Sequence, residues 1–331
     1  METGYLSFQD ITALRTEIDT SLNQRPISPS TVVNALAWMR RQGSATAGME
    51  VKFPLATWGN RASKRSPYEN LPATKPESVI FSVTHDEWAP DGEVIARGTQ
   101  LTDLYGIFAE NLPMIVASAQ LEYDALLADV LADGHTTTTP YDDKPFFTYS
   151  GGSGSHQANP NRPGLATFDN YNPSAALNRT NIVAGLQALA TVPGFNGLPM
   201  SMPGRIVIVV SSKDQELKAR TELNAALVAS AAGTATQSNE MPIVSGPADV
   251  LFLPTLAAKD SGKGWYMFKI VSEKHRPICL SIVEPWQTYV EGMGDPNAHS
   301  RTTRNVINYG VRGFHGLGYL YPQLAYKFIE P

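Results

Sequence analysis

One long apolar stripe constrains this chain more than any other feature. Leu104, Ile107, Phe108, Leu112, Ile115, Ala119, Tyr123, Leu127 and Val130 recur at helical spacing, as the buried face of one helix would. Thr102 or Asp103 can cap its start and Gly134 stops it. Pro113 either kinks the helix or serves as the first residue of a restarted one. The residues after Pro113 alone, about 20, would extend ~30 Å. It is the longest element the sequence predicts.

What precedes this helix is different in kind. Phe8, Ile11, Leu14, Ile18 and Leu22 mark a short amphipathic helix over 7–22, with Ser7 as a possible N-cap. Val32, Val33, Leu36 and Met39 predict a second from about Ser30 to Arg41. From Val51 to about Gly98 the chain is punctuated by Pro54, Pro67, Pro72, Pro76 and Pro90 and carries strand-like runs at 78–84 and 92–98. That pattern predicts a long extended excursion with hairpin pairing. Excursions of such length are uncommon in compact domains without a function.

After the helix come YDDKPFF (141–147) and SGGSGSH (150–156), the latter read as a flexible surface loop. A helix is expected over 173–190 with Asn172 as cap, a buried strand at 205–212, and an amphipathic helix at 213–230. Further strands are expected at 249–254, 265–271 and 277–284, and extended chain over 305–328.

Composition removes several classes. The 331 residues hold 26 Lys and Arg against 31 Asp and Glu; a net charge of −5 argues against sequence-specific DNA binding. No 18-residue apolar run is present to span a membrane, and METGYLSFQD lacks the basic start and apolar stretch of a secretory signal. A single cysteine, Cys279, forbids an internal disulfide, and its ICLSIV setting predicts a buried inert thiol. Gly and Pro number 26 and 24, against a charged share of only 17%; this favours turns and long ordered loops over a helical bundle.

The search for chemistry is negative, and no catalytic, cofactor or metal residue is assigned. None of the six histidines has the i, i+4 partner of a zinc helix; His135, ending the long helix, suits its dipole. Gly151–Ser155 resembles a nucleophile elbow but ends in Ser155 where that motif needs Gly. Asp260–Gly264 lacks the spacing of a phosphate loop and reads as a hairpin turn. An α/β hydrolase or sugar-binding enzyme using the Ser153–His156 loop would need a convergent acid and base, which the sequence does not supply.

Charge layout says more. Arg40, Arg41, Lys52, Arg61, Lys64 and Arg65 stand against Glu50 alone, for a net +5 over 40–65. Ten acids, among them Asp103, Glu110, Glu122, Asp124 and Asp129, stand against Arg97 over 86–133, for a net −9. One reading is two solvated faces of opposite sign. The sharper one is a basic extended loop lying across an acidic helix of a neighbouring copy, where complementary fields fix register. These eleven named residues are the expected intersubunit contacts.

Four segments then carry a resemblance. The helix stop at Gly134 followed by YDDKPFF and His156, the run from Asn172 through NGLPMSMPGRIVIVVSS into the next helix, GKGWYMFKIVSEKHRPICLSIVE, and NYGVRGFHGLGYLYPQLA resemble, in that order, the Mu-type phage major head subunit family. Its members have the Hong Kong 97-type fold of tailed-phage capsid proteins. The likeness covers roughly 100–331, and by element order alone the first hundred residues. Pro322 replaces the family's Trp, and Arg312-Gly313-Phe314 its Asp-Ala-Arg.

The resemblance implies an α+β, Hong Kong 97-like subunit. Its parts would be an N-terminal arm (1–41), an extended loop (42–100), a peripheral domain with a spine helix (101–164), an axial domain (165–260), and C-terminal strands returning to the peripheral domain (261–331). Copies would form hexamers and pentamers of an icosahedral head enclosing double-stranded DNA without reading its sequence. Assembly would take place in the bacterial cytoplasm, with a portal, a separate scaffolding protein and a possible decoration protein as partners, and the virion as destination. A nanocompartment shell of the same fold is the close alternative.

Overall fold

The computed structural model describes residues 16, 20, 27–43, 49–56, 78–89, 91–95, 101–162, 164–200, 203–224, 227–229, 236–238, 248–291 and 306–331. A first helix, Thr31–Leu36, leads directly into β1 (Ala37–Arg41), followed by β2 (Met49–Ala56), β3 (Ser78–Trp88) and β4 (Asp91–Ile95). The long helix, Leu101–Asp133, comes next. Five two-residue strands, β5 to β9, lie between 138 and 172. A helix at Arg179–Thr191 precedes β10 (Arg205–Val210), and one at Lys213–Asn224 precedes β11 (Leu227–Ala229), β12 (Thr236–Ser238) and β13 (Ala248–Phe252). After a short helix at Ala257–Asp260, the chain runs through β14 (Gly264–Ile270), β15 (Ile278–Glu291), β16 (Val306–Tyr319) and β17 (Ala325–Ile329).

Two sheets organise these strands. The smaller has the order β13-β10-β14-β17-β9, and the larger β1-β15-β16-β3-β2 with β4 beside β16. β10 is Arg-Ile-Val-Ile-Val-Val, apolar on both sides because both faces of its sheet are covered. Ile206, Ile208 and Val210 face a core with Trp265, Phe328 and the two middle helices. Val207 and Val209 face the opposite core, shared with Tyr123, Leu127 and Leu131 of the long helix and with Ile278 and Leu280 of the larger sheet. The long helix is therefore wedged where the two sheets meet. The Trp265 and Phe328 rings stack 3.8 Å apart and the indole N–H donates to the Ala175 carbonyl at 2.9 Å, so a large buried side chain leaves no polar atom unpaired.

Several expectations need correction. The long helix is one piece of 33 residues, roughly 50 Å at 1.5 Å per residue, continuous across Pro113. The helix expected over 30–41 stops at Leu36, because Ala37–Arg41 pairs in parallel with Ile278–Ile282. The helix capped from Asn172 begins at Arg179 instead, with the Asn178 carboxamide accepting from the Asn181 N–H. That over 213–230 ends at Asn224, and 227–229 is strand. Asp260–Gly264 is a turn with Ser261 and Gly262 at positive φ, but it does not join a hairpin, since β10 lies between β13 and β14. The 7–22 helix lies outside the described residues, Thr16 and Thr20 excepted; both are helical.

The Gly-rich terminal segment becomes β16, and its glycines answer to packing. A Cβ on Gly316 would overlap the Thr84 carbonyl oxygen, and one on Gly318 would lie 2.6 Å from that of Ser82. β16 can approach β3 this closely only without side chains there.

Candidate subunit interface

The C-terminal end of the long helix sets the geometry around it. Its last carbonyls have no helical partners, and the Lys327 ammonium donates to Ala132 at 2.8 Å and to Leu131 at 3.3 Å. The Tyr319 hydroxyl donates to Val130 at 2.8 Å. Burial lowers the Lys327 pKa to about 8, opposed by Asp260 and Asp133. The cation capping the helix is thus Lys327, and His135, expected in that role, has its own pKa lowered, by burial first and then by Lys327.

The 140–172 segment is an ordered strut. The buried Asn170 carboxamide accepts from the Thr148 N–H at 2.8 Å and donates to the Phe146 and Pro322 carbonyls. His156 is fully buried, with Nδ1 2.9 Å from the Asp142 carboxylate and Nε2 3.0 Å from the Phe146 carbonyl. Ser153 lies 2.5 Å from the Thr148 hydroxyl. Both ring nitrogens of His156 are engaged by acceptors, and neither meets Ser153, so the loop holds no nucleophile–base pair of the kind acyl transfer requires. Cys279 is buried and its thiol pKa is raised to about 12 by desolvation, as expected of an inert core cysteine.

The expected contact residues divide as follows. Arg61, Lys64 and Arg65 lie outside the described residues; Asp103 and Glu110 fall on the described backbone of the long helix. On β1, the Arg40 guanidinium lies 4.5 Å over the Phe53 ring, and Arg41 is exposed. Lys52 is exposed and 3.5 Å from Glu50. Asp124 accepts from the Ser30 hydroxyl at 2.5 Å, and Asp129 pairs with Lys259 at 2.6 Å. Burial raises the carboxyl pKa of Asp124, and that of Glu122 with a smaller push from Asp129. Among the described residues, no ion pair joins Arg40, Arg41 or Lys52 to an acid of the long helix. Within one copy, basic strands and acidic helix do not meet there.

Two surface concavities flank the helix. One of about 340 Å³ lies among Glu50, Asp129, Asp133, Thr137, Thr138 and Tyr319, and so collects three carboxylates. The other, about 510 Å³, lies between Ser28–Thr31 and the helix side formed by Ala117, Leu121 and Asp124. Large apolar side chains are exposed nearby: Met114 and Leu121 on the helix, and Met39, Met49 and Ile80 on the larger sheet. Outward apolar side chains in such numbers mark surfaces that meet other protein.

Sequence reasoning missed a buried aromatic–histidine cluster. His315 on β16 lies 4.7 Å from the Tyr123 ring, 5.1 Å from Trp286 and 6.2 Å from Trp88. His85 on β3 is buried beside Phe314. Burial lowers both histidine pKa values, that of His315 to about 4. His85 and His315 are 230 positions apart in the chain, so no local motif could have joined them.

Comparison with known proteins fixes what this architecture is. A family model described as phage capsid protein matches residues 91–328, well over half of the chain. Among solved structures, a chain of the procapsid of bacteriophage JBD30 aligns with a TM-score of 0.53 at 14% identity, over 98% of this chain and 77% of that one. The capsid of cyanophage P-SCSP1u aligns at 0.46 and 12% identity (89% and 86% covered), and that of a native GTA particle at 0.46 and 13% (92% and 98%). No curated protein sequence matches. With two packed sheets around one long helix, the Hong Kong 97-type fold, the chain belongs to the phage capsid protein family.

Proposed function

We infer that the chain is the major capsid subunit of an icosahedral phage head. The family match over 91–328 carries this reading, and the agreement in fold along 98% of the chain supports it. The role is architectural: copies assemble into hexamers and pentamers around packaged double-stranded DNA, and no reaction is catalysed. The four ordered sequence motifs support a Mu-type head subunit rather than a nanocompartment shell. Residues 1–41, 42–100 and 101–164 serve as arm, extended loop and peripheral domain with the long helix as spine. Residues 165–260 form the axial domain, and 261–331 return to the periphery. Portal, scaffolding and decoration proteins complete the head, which is assembled in the host cytoplasm.

Subunits are held in register by charge. The basic stretch of one copy, with Arg40, Arg41, Lys52, Arg61, Lys64 and Arg65, lies against the acidic helix of the next, with Asp103, Glu110, Glu122, Asp124 and Asp129. Two observations support this. Glu122 and Asp124 sit where burial disfavours their charge, a cost that an arriving cation relieves. The three-carboxylate concavity beside the helix offers a place for such a cation. The test is electron microscopy of the protein co-expressed with its neighbouring genes. Uniform closed shells are expected, and only soluble monomers under those conditions would refute the assignment. Replacing Arg61, Lys64 and Arg65 by Glu should abolish shells while leaving folded monomers, and normal assembly of that variant would remove the charge clamp.

A further inference from the structure

The long helix is apolar on more than its buried face. Ile115, Ala119, Tyr123 and Leu127 point into the subunit, yet Met114, Ala117 and Leu121, at i, i+3 and i+7, form a second stripe on the outside. Met114 is 68% and Leu121 57% exposed. A helix apolar on opposite sides is covered on both in its working state. The 510 Å³ groove runs along this outer stripe, and Pro29 and Ser30 form its other wall.

We propose that residues 7–22 of the same copy fold as an amphipathic helix and dock in this groove, laying Leu14, Ile18 and Leu22 against Met114, Ala117 and Leu121. Three observations lead there. First, the tether is short: only Asn23–Pro26 separate Leu22 from Ile27, a span of at most ~17 Å, and the chain resumes on the groove wall itself. Second, Thr16 and Thr20 are helical and exposed, with the Thr20 hydroxyl donating to the Thr16 carbonyl at 2.6 Å. On a helix of 3.6 residues per turn those threonines lie opposite Ile18 and Leu22, so the exposed face is the polar one. Third, Arg15 is the one base in 7–22. It shares the face of Ile11 and Ile18, and the opposing helix offers Glu122 and Asp124.

The experiment uses the full chain with Cys279→Ser, leaving no other thiol. Leu121→Cys or Met114→Cys, both at exposed positions, is combined with Leu14→Cys, Ile18→Cys or Leu22→Cys; Thr16→Cys is the control on the polar face. Mild oxidation at submicromolar protein is followed by non-reducing gels. At least one apolar-face pair should close into a fast-migrating monomer about tenfold more completely than the control, since a short tether gives a millimolar effective concentration. Equal closure of the control, or no closure in any pair, overturns the proposal. So do disulfides formed only between copies, which would give the groove to a neighbour's segment.

Discussion

The two sheets of this subunit are built to different standards. The five-stranded sheet is finished within one copy: β10, β14 and β17 lie between two cores, with Val207, Trp265, Tyr266 and Phe328 all buried. The larger sheet ends in two edge strands, β1 and β2, and presents Met39, Met49 and Ile80 outward. One region holds the subunit together, while the other is left open for neighbours. Stability and assembly are therefore separable properties, resting on different residues.

The strongest way to break that separation is in the finished sheet. Trp265→Ala or Phe328→Ala removes half of a buried stack and should cost about 3–5 kcal/mol. Urea unfolding of the monomer would read this directly, and a loss under 1 kcal/mol would mean the sheet is not the subunit's anchor. Second in size is acid. His315, pushed down to about 4 by burial, stays neutral in the fold while an unfolded chain takes up its proton near pH ~6.5. Its contribution is full above pH ~6.5 and is lost as pH falls toward 4, on the order of 3 kcal/mol. His85 acts in the same direction, partly offset by Asp86. Unfolding midpoints from pH 7 to 4 should show this slope, and His315→Gln should flatten it.

Next comes the seam between β16 and β3. Gly316→Ala would force a methyl onto the Thr84 carbonyl, for about 1–3 kcal/mol. A variant as stable as the parent would mean that the strands part freely there. The smallest effect on stability belongs to the open surface. Ile80→Asp and Met49→Ser should change monomer stability by less than about 0.5 kcal/mol yet lower the yield of closed shells. If both fell together, the two regions would not be independent.

What the sequence disclosed follows the same division. The long helix and the buried strand at 205–210 are patterns written over consecutive residues, and both are present in the structure. Ala37–Arg41 continues a helical stripe through Met39, and becomes strand only because Ile278–Ile282 lies alongside. Likewise the GGSGS loop reads as mobile until Thr148, Asp142 and Phe146 are seen to hold its neighbourhood. The charge imbalance between 40–65 and 86–133 was visible at once. Its meaning was not, because Asp124 and Asp129 also serve Ser30 and Lys259 within the same copy. Contacts across two hundred residues leave no trace in a local window.

Lys327 has a consequence in time. It rides on β17, the strand made after all the others, and it closes the carbonyl end of a helix synthesised some 200 residues earlier. β1 waits as long for β15. A chain still on the ribosome therefore has neither sheet complete nor its long helix capped, and such distant pairings form late. Half-made subunits cannot offer a shell the surface it recognises, and competence to assemble arrives in a single step at the end of synthesis.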